Sequence, residues 1–247
     1  MAYTTIDNSE LHFQAKTYTG TGSSNAITLD GSENMQPDLV WIKHRNEANW
    51  NNLYDVVRGV TKRLFSNETN AEETQSAGLT AFGSDGFTVG SNVDVNKSSG
   101  SYVAWNWKAG GSASSNSNGS ITTSVSANTT AGFSIVKLDK TTNSSTASTF
   151  GHGLSSAPEV LILKRTDGTE DWYTYHTSMG NAARVQLNEN EAKTQGTGVW
   201  GETDPTSSVF TVKSFNPGEA IAYCFHSVAG FSKFGTFTGN GNADGTF

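Results

Sequence analysis

The chain repeats itself, and this internal repeat limits the folds that its 247 residues can adopt. A proline and an acidic residue precede an apolar run that ends in basic residues, first at residues 36–45 and again at residues 157–165. The two prolines lie 121 positions apart. Five collinear matches at a nearly constant offset indicate two copies of one structural unit. The other four pair Trp50 with Trp172, residues 63–68 with 184–189, 87–89 with 210–212, and 102–107 with 220–225.

The end of the chain resembles the beginning of a third copy. Residues 230–234 are similar to residues 132–136, which open the second copy, and residues 236–241 are similar to residues 17–22 of the first. Two explanations are open: the chain is part of a longer polypeptide, or the tail completes a sheet in a neighbour. The predicted boundaries are a β-sandwich repeat at 1–110, a linker at 111–131, a second β-sandwich repeat at 132–229, and the start of a third repeat or an assembly tail at 230–247.

The linker assignment rests on composition. Residues 111–131 carry no charged side chain and are rich in Ser, Thr and Asn, which is typical of a flexible spacer. Residues 121–126 contain many residues with a preference for strands, so this half of the segment can add an edge strand to a sheet.

Composition and turn signals favour an all-β fold. Aromatic residues make up 11 % of the chain and charged residues only 16 %, whereas long helices usually need many Glu, Lys, Arg, Ala and Leu residues. Short apolar or alternating segments are separated by Asp-Gly and Asn-Gly pairs, which suit turns that need a positive φ. With about 100 residues per copy, we predict two tandem jelly-roll-like β-sandwich domains. Single helical turns are expected at residues 70–74 and 190–193.

Charge and hydropathy exclude several classes of partner. The net charge of −7 argues against nucleic acid, because binding to phosphates requires clustered Lys and Arg. No apolar stretch approaches the roughly 18 residues that a membrane span needs, and the first residues lack the features of a signal peptide. We therefore expect no nucleic-acid partner, no membrane insertion, and synthesis in a cytoplasm. The single cysteine, Cys224, lies in an apolar run and is predicted to be a buried thiol.

Motifs of catalytic and metal sites are missing from the sequence. It has no Gly-x-Ser-x-Gly elbow, no His-Glu-x-x-His pair, no Walker A loop and no paired-cysteine spacing. His152, between two glycines, is interpreted as a turn residue. The adjacent acids Glu170 and Asp171 are interpreted as solvated, since neighbours on a strand point to opposite faces. The prediction is no enzyme, no catalytic residue, no metal and no cofactor.

Trp200 is the one candidate binding residue. It has no counterpart in the first copy and lies in a Gly-rich segment at residues 197–201, where an exposed indole could stack on a sugar ring. Simple packing is the alternative. The other tryptophans recur, or are replaced by large apolar residues, so they are predicted to belong to the core or framework: Trp41, Trp50, Trp105, Trp107 and Trp172.

Several segments resemble a repeated domain of unknown function that is found in predicted tail-fibre and virion proteins of marine bacteriophages, including phages of cyanobacteria. In the first copy these are residues 17–22, 36–43, 84–90 and 102–111; residues 151–158 and 230–235 look like the second-copy form. The similarity covers nearly the whole chain. It implies a concanavalin-like, lectin-like sandwich, often within longer chains, and it offers no catalytic residues to transfer.

These observations together predict a bacteriophage virion structural protein. It would be a surface fibre or appendage on tail or capsid that contributes to host attachment. Its expected partners are other virion proteins and copies of itself, for example in a trimer, with a host-surface glycan as a further candidate. Its expected location is the virion surface, after synthesis in the host cytoplasm. The alternatives are a carbohydrate-binding lectin or adhesin and, after it, a glycan-degrading enzyme of the tailspike type.

Overall fold

The computed structural model describes residues 5–141, 146–196, 198–213 and 215–241, and it confirms the all-β prediction. Neighbouring strands pair antiparallel. The first copy contains β1 (Phe13–Thr19), β2 (Asn25–Thr28), β3 (Leu39–His44), β4 (Asn52–Asp55), β5 (Lys62–Phe65), β6 (Glu73–Thr74), β7 (Leu79–Gly83), β8 (Gly86–Val89), α1 (Val93–Asn96) and β9 (Ser101–Trp107), after a 3-10 turn at Ser9–Leu11. The rest of the chain contains β10 (Ser114–Asn116), β11 (Thr123–Asn128), β12 (Phe133–Thr141), β13 (Ser148–Gly151), β14 (Val160–Arg165), β15 (Tyr173–His176), β16 (Ala183–Gln186), β17 (Thr194–Gln195), β18 (Val209–Val212) and β19 (Gly218–Phe225), with a 3-10 turn at Thr177–Met179.

The two copies share one strand order. The large sheet of the first copy runs β1-β9-β3-β4-β5-β6, and that of the second contains β12-β19-β14-β15-β16-β17 in the same sequence of neighbours. The registers agree as well: Leu39 lies opposite Trp107 in the first copy, and Val160 lies opposite Phe225 in the second. The repeat seen in the sequence is therefore a repeat of sheet topology.

Four sheets are stacked as layers. A three-stranded sheet, β2-β8-β7, covers one face of the first large sheet, and the pair β13-β18 covers one face of the second. The other faces of the two large sheets pack against each other around a shared cluster that includes Leu53, Leu64, Ile135, Trp172 and Ile221. Each copy is thus β-sandwich-like, and the two copies form one body.

This stacking explains the continuous apolar runs. In β3, Val40 and Ile42 point to the small sheet, while Leu39 and Trp41 point to the other copy. A strand that is covered on both faces needs apolar residues at successive positions, whereas a strand with one solvent-exposed face alternates apolar and polar residues. The runs in β3 and β14 therefore indicate central strands of large, doubly covered sheets.

The structure differs from the linker prediction for residues 111–131. Strand β11 pairs with β12, and β10 pairs with β11, so the second large sheet grows to eight strands. Val125 of β11 is buried in the core of the second copy, and Ala127 packs against it. Burial of these side chains, together with the hydrogen bonds to β12, outweighs the flexibility that the composition indicates.

The helical turns expected at residues 70–74 and 190–193 are wrong. Short strands lie there or directly after them: Glu73–Thr74 pairs with β5, and Thr194–Gln195 pairs with β16. A single helical turn is costly to nucleate, and at these two positions the hydrogen bonds to β5 and β16 favour a strand. The one-turn helix α1, by contrast, has its N-terminus capped by the side chain of Asn92. In the described part of the chain, no helix is both long and apolar enough to cross a membrane.

Buried polar contacts join the two copies. The indole Nε1 of Trp172 donates to the carbonyl oxygens of Phe65, at 2.8 Å, and Glu68, at 3.1 Å. The Tyr223 hydroxyl donates to Oδ2 of Asp55, which also binds Nε of Arg58 at 2.6 Å. Such directional bonds fix how one copy is seated on the other, because the shared apolar layer alone is non-directional.

The tail after β19 folds back on the end of that strand. The backbones of Val228 and Ser232 exchange two hydrogen bonds of 3.0 and 2.9 Å, and the amide of Phe234 donates to the Ser227 hydroxyl. In the described part of the predicted third repeat, residues 230–241, the chain is a turn followed by an irregular segment. Residues 1–4 and 242–247 of the predicted domain ranges lie outside the described residues.

Candidate functional site

A cleft of about 330 Å³ opens between the two large sheets. It lies where β1 and β12 begin and where β9 and β19 end, so the walls come from corresponding ends of the two copies. Its aromatic lining consists of Phe13, Trp41 and Trp107 from the first copy, Phe133 and Phe225 from the second, and Phe231 and Phe234 from the tail.

The walls are built from equivalent positions. Phe13 packs on Trp107 with ring centroids 4.9 Å apart, and Phe133 packs on Phe225 at 4.8 Å. The two pairs meet across the cleft, since the Trp107 and Phe225 rings are 6.4 Å apart. The cleft is therefore a product of the repeat: each copy supplies an aromatic pair from the start of its first strand and the end of its last.

The tail adds a third set of rings. Phe231 makes an edge contact with His12 at 5.7 Å, and Phe234 packs on Phe225 at 5.7 Å. In the predicted third repeat, Phe231 corresponds to Phe133 of the second copy and to Phe13 of the first. Three equivalent phenylalanines thus converge on one cavity. The sequence signal for this was present, because an aromatic residue opens each copy, but only the fold brings the three together.

Few polar groups face the cleft. The Asn128 amide donates to Nδ1 of His12 at 3.0 Å, and burial, followed by the charge of Lys108, lowers the pKa of His12. Nδ1 of His226 lies 2.9 Å from the carbonyl of Ser227, which requires the proton on Nδ1, and its Nε2 is buried without a partner among the described residues. A mostly apolar cavity suits an apolar or aromatic group.

The structure places Trp200 away from any binding surface. Its side chain is 1 % exposed, its Nε1 donates to the carbonyl of Ala183 at 3.0 Å, and its ring meets Tyr175 edge-on. Its faces are covered by the core of the second copy, so the indole cannot stack on a sugar ring in this conformation. Trp200 is a packed core residue, as the alternative interpretation of the sequence predicts.

The remaining tryptophans do not all belong to the core. Trp172 is fully buried, whereas Trp50 is 41 % exposed and rests on the ring of Phe65 at 4.7 Å. Trp41 and Trp107 are only half-buried because they line the cleft. The framework prediction therefore missed the site: two residues assigned to packing form part of its wall.

The polar candidates from the sequence are engaged in local bonds. His152 is buried; its Nδ1 accepts from the amide of Leu154, and its Nε2 lies 3.1 Å from the carbonyl of Thr206. Glu170 accepts from Tyr173 and Asn216, and the two oxygens of Asp171 accept from Gln186 and Asn188. These groups hold loops in place. The prediction of solvated carboxylates is refined to hydrogen-bonded ones.

Two other ionisable groups are buried in the second copy. Cys224 is fully buried, and burial raises the pKa of its thiol to about 12. Lys164 is also buried. Its ammonium group donates hydrogen bonds to the carbonyl oxygens of Arg165, at 2.8 Å, and of Thr69 in the first copy, at 3.2 Å. Burial lowers the pKa of Lys164 to about 8. Within the described ranges, no group of three His, Cys, Asp or Glu residues is arranged to hold a metal ion.

Comparison with known proteins gives one match. The profile of a family described as "Domain of unknown function (DUF7483)" matches residues 8–247, which include both copies and the tail. No curated protein and no solved structure matches the chain.

Proposed function

The chain belongs to the DUF7483 family, and we propose that it is a structural module of a bacteriophage virion, in a surface fibre or appendage that contributes to host attachment. The observation that carries the proposal is the shared layer between the two copies. The apolar cluster around Leu53 and Trp172 joins them, and the bond between Tyr223 and Asp55 fixes their orientation. Two copies that are held in a fixed orientation form a rigid unit, and a surface appendage needs rigidity along its length.

The match of the family to both copies and the tail supports treating the whole chain as one building unit. The resemblance to predicted virion proteins of marine phages supports the location at the virion surface. We further propose that each copy is a jelly-roll-like, concanavalin-like sandwich whose small sheet is reduced to three strands in the first copy and two in the second.

The alternatives draw less support from the described residues. A lectin needs exposed aromatic faces beside hydroxyl-binding groups, but Trp200 is buried and the cleft is mostly apolar. A glycan-degrading enzyme needs a pair of carboxyl groups on opposite sides of a bound sugar. Glu170 and Asp171 are instead bound to neighbouring side chains, and Glu72 and Glu73 are ion-paired with Arg58 and Arg63.

Antibody labelling of particles tests the proposal. An antibody raised against the purified chain is applied to phage particles from infected cells, with pre-immune serum as the control. Gold label on a tail or capsid appendage is the expected result. Absence of label on intact and on partly disassembled particles, by an antibody that detects the protein in the infected lysate, would overturn it.

A further inference from the structure

Strand β1 is an edge of the first large sheet, and it is long for an edge. In the described part of the chain, the other three edges of the two large sheets are strands of two or three residues: β6, β17 and β10. β1 has seven residues. A long, regular edge strand is a template for pairing with another chain, and proteins usually shorten, bulge or charge such edges.

Strand β1 carries little of this protection. It pairs with β9 in continuous register, and it contains no bulge and no proline. Its one charged residue, Lys16, is ion-paired with Asp30. Ala15 and Thr17 are exposed. The edge is therefore open to a partner strand.

The backbone bonds at the two ends of β1 show which of its residues face β9. The amide of Lys108 donates to the carbonyl oxygen of His12, and the amide of Gly20 donates to that of Gly100. Hydrogen-bonded and non-hydrogen-bonded residues alternate in an antiparallel pair, so the even-numbered residues of β1 bond to β9. The backbone groups of the odd-numbered residues point to the open side.

Three successive odd-numbered positions of β1 offer unused backbone groups. The N–H and C=O groups of Phe13, Ala15 and Thr17 have no hydrogen-bond partner among the described residues. At the next odd-numbered position the carbonyl oxygen of Thr19 accepts from the side-chain amide of Asn25, at 3.2 Å, which confirms the direction of this side. The free edge of β1 therefore consists of residues 13–17.

The second copy shows what fills the equivalent edge. Its strand β12 corresponds to β1, because Phe133 lies opposite Phe225 as Phe13 lies opposite Trp107. Strand β11, which has no charged residue, pairs antiparallel along the outer side of β12. In the first copy the described residues before β1, 5–12, contain a 3-10 turn and no strand. The position that β11 takes in the second copy is thus vacant in the first.

The hydrogen-bonding positions of the two strands agree. The amide of His226 donates to the carbonyl oxygen of Gly132, so the even-numbered residues of β12 bond to β19 and the odd-numbered ones bond to β11. These odd-numbered residues correspond to Phe13, Ala15 and Thr17. The pairs with β11 are Phe133 with Asn128, Ile135 with Ser126, and Lys137 with Ser124.

We propose that residues 13–17 of β1 are a site of β-strand addition, at which an extended, uncharged segment of another protein pairs antiparallel. The repeat selects this occupant, because an uncharged strand binds the same backbone groups in β12. Strand addition takes its affinity from main-chain hydrogen bonds and its specificity from alternate side chains. This kind of partner goes beyond the proposed structural function and does not depend on it.

A synthetic peptide of residues 121–130, which contains β11, is the probe for the purified full chain. Amide hydrogen exchange, measured by NMR, should slow for Phe13, Ala15 and Thr17, about tenfold at a peptide concentration about ten times its Kd. The amides of Gln14 and Lys16 are the internal control, since they already bond to β9. Equal slowing at odd- and even-numbered positions, or no slowing, would contradict the proposal.

Two N-methylated peptides test the direction of the bonds. Methylation at Ser126 and Asn128 removes donors that face β12 in the second copy, and it should weaken binding at least about 10-fold. Methylation at Val125 and Ala127, whose amides point away from β12, should leave the affinity nearly unchanged. An equal loss with both peptides would show that the peptide does not pair in this way.

The variant Ala15→Pro closes the edge and leaves the pair with β9 intact. The amide of Ala15 points to the open side, so proline removes a donor there and none from the bonds to β9. The peptide should bind this variant at least about 10-fold more weakly. Ala15→Ser, which keeps the amide, is the matched control. If Ala15→Pro does not fold, the two N-methylated peptides on the wild-type chain decide.

Two other locations of the bonds are outcomes of the same measurements. Undiminished binding to folded Ala15→Pro would place the peptide elsewhere, for example on β12 in exchange for β11, and would overturn the proposal. Without peptide, exchange at the odd-numbered positions should not depend on the concentration of the chain. Slowing with rising concentration would identify a second copy as the occupant, and a strand of another protein would be wrong. All of these experiments use purified chain and peptide, so they can fail while the labelling of virions succeeds, and the reverse.

Discussion

The phenol of Tyr223 in the second copy donates a 2.8 Å hydrogen bond to the carboxylate of Asp55 in the first, in the layer where the two copies meet. Asp55 is fully buried and also accepts from the side chain of Arg58 and from the backbone amides of Val57 and Arg58. Burial, and after it the neighbouring carboxylate, raises the pKa of Tyr223 well above its usual range. The phenol of Tyr223 therefore stays protonated and donates. Side chains from both copies thus bind the same carboxylate, that of Asp55.

Tyr223→Phe should destabilise the junction between the copies. It removes the bond to a buried carboxylate, together with a long bond of 3.4 Å that Nη2 of Arg58 donates to the same hydroxyl, and leaves the ion pair between Arg58 and Asp55 in place. The free energy of unfolding should therefore fall by about 1.5–3 kcal/mol. Chemical denaturation measures the change. Tyr175→Phe is the control: Tyr175 is also a buried tyrosine, but its hydroxyl makes a long bond of 3.4 Å to Asp204. Equal losses in the two variants would contradict a special role for the junction.

Two tryptophans beside Phe65 should respond differently to the same substitution. Trp172→Phe removes the indole donor to the carbonyls of Phe65 and Glu68 from a buried site, and we expect a loss of about 2–4 kcal/mol. Trp50→Phe changes a side chain that is 41 % exposed, and a change within about 0.5 kcal/mol is expected. Thermal unfolding of the two variants checks the contrast, which would be lost if the copies were not docked through Trp172.

Trp200→Ala should lower the free energy of unfolding. The side chain fills the core of the second copy and donates to Ala183, so truncation should cost about 3–5 kcal/mol. Calorimetry of the purified chain provides the measurement. A variant that keeps wild-type stability would show that the indole is not packed as described.

Lys164 should make stability depend on pH in the alkaline range. Its pKa in the folded protein is about 8, against an ordinary value of 10.5, so between these values the unfolded chain binds more protons. Stability therefore rises with pH across this window, by at most about 1.4 kcal/mol per pH unit from this one group. Below pH 8 the ammonium is charged in both states and its contribution is constant.

The comparison with Lys164→Met isolates this effect, since tyrosines and other lysines also titrate at high pH. The difference in unfolding free energy between the wild type and this variant should increase from pH 8 to pH 10. Lys43→Met alters the corresponding, half-buried position of the first copy and should retain the wild-type rise. A pH-independent difference for Lys164→Met would show that Lys164 is solvated.

Sequence comparison predicted the repeat but placed one match wrongly by a single residue. The backbone amide of Trp172 donates to the side-chain oxygen of Asn188, 16 residues later, at 2.8 Å. In the first copy the backbone amide of Asn51 donates to the side-chain oxygen of Asn67, also 16 residues later and at 2.8 Å. Asn51, and not Trp50, is thus the counterpart of Trp172. Successive residues of extended chain point to opposite sides, and the slip moved an exposed indole into the predicted core.

The site lay beyond sequence reasoning for a physical reason. Phe13, Phe133 and Phe231 are separated by about a hundred residues each, and their convergence depends on how the two large sheets are stacked, which no local pattern encodes. Trp200 was assigned to a loop because glycines surround it. The carbonyl that binds its indole belongs to Ala183, at the start of β16, and this contact is set by tertiary structure.

The junction between the copies is asymmetric, because equivalent positions of the two copies carry different residues there. At the position of Tyr223 the first copy carries Trp105, and at the position of Asp55 the second carries His176. A chain made of two first copies would bury the Asp55 carboxylate opposite an indole that has no hydroxyl to offer. The two halves, although alike in shape, are not interchangeable, and their order along the gene is part of the information that the fold requires.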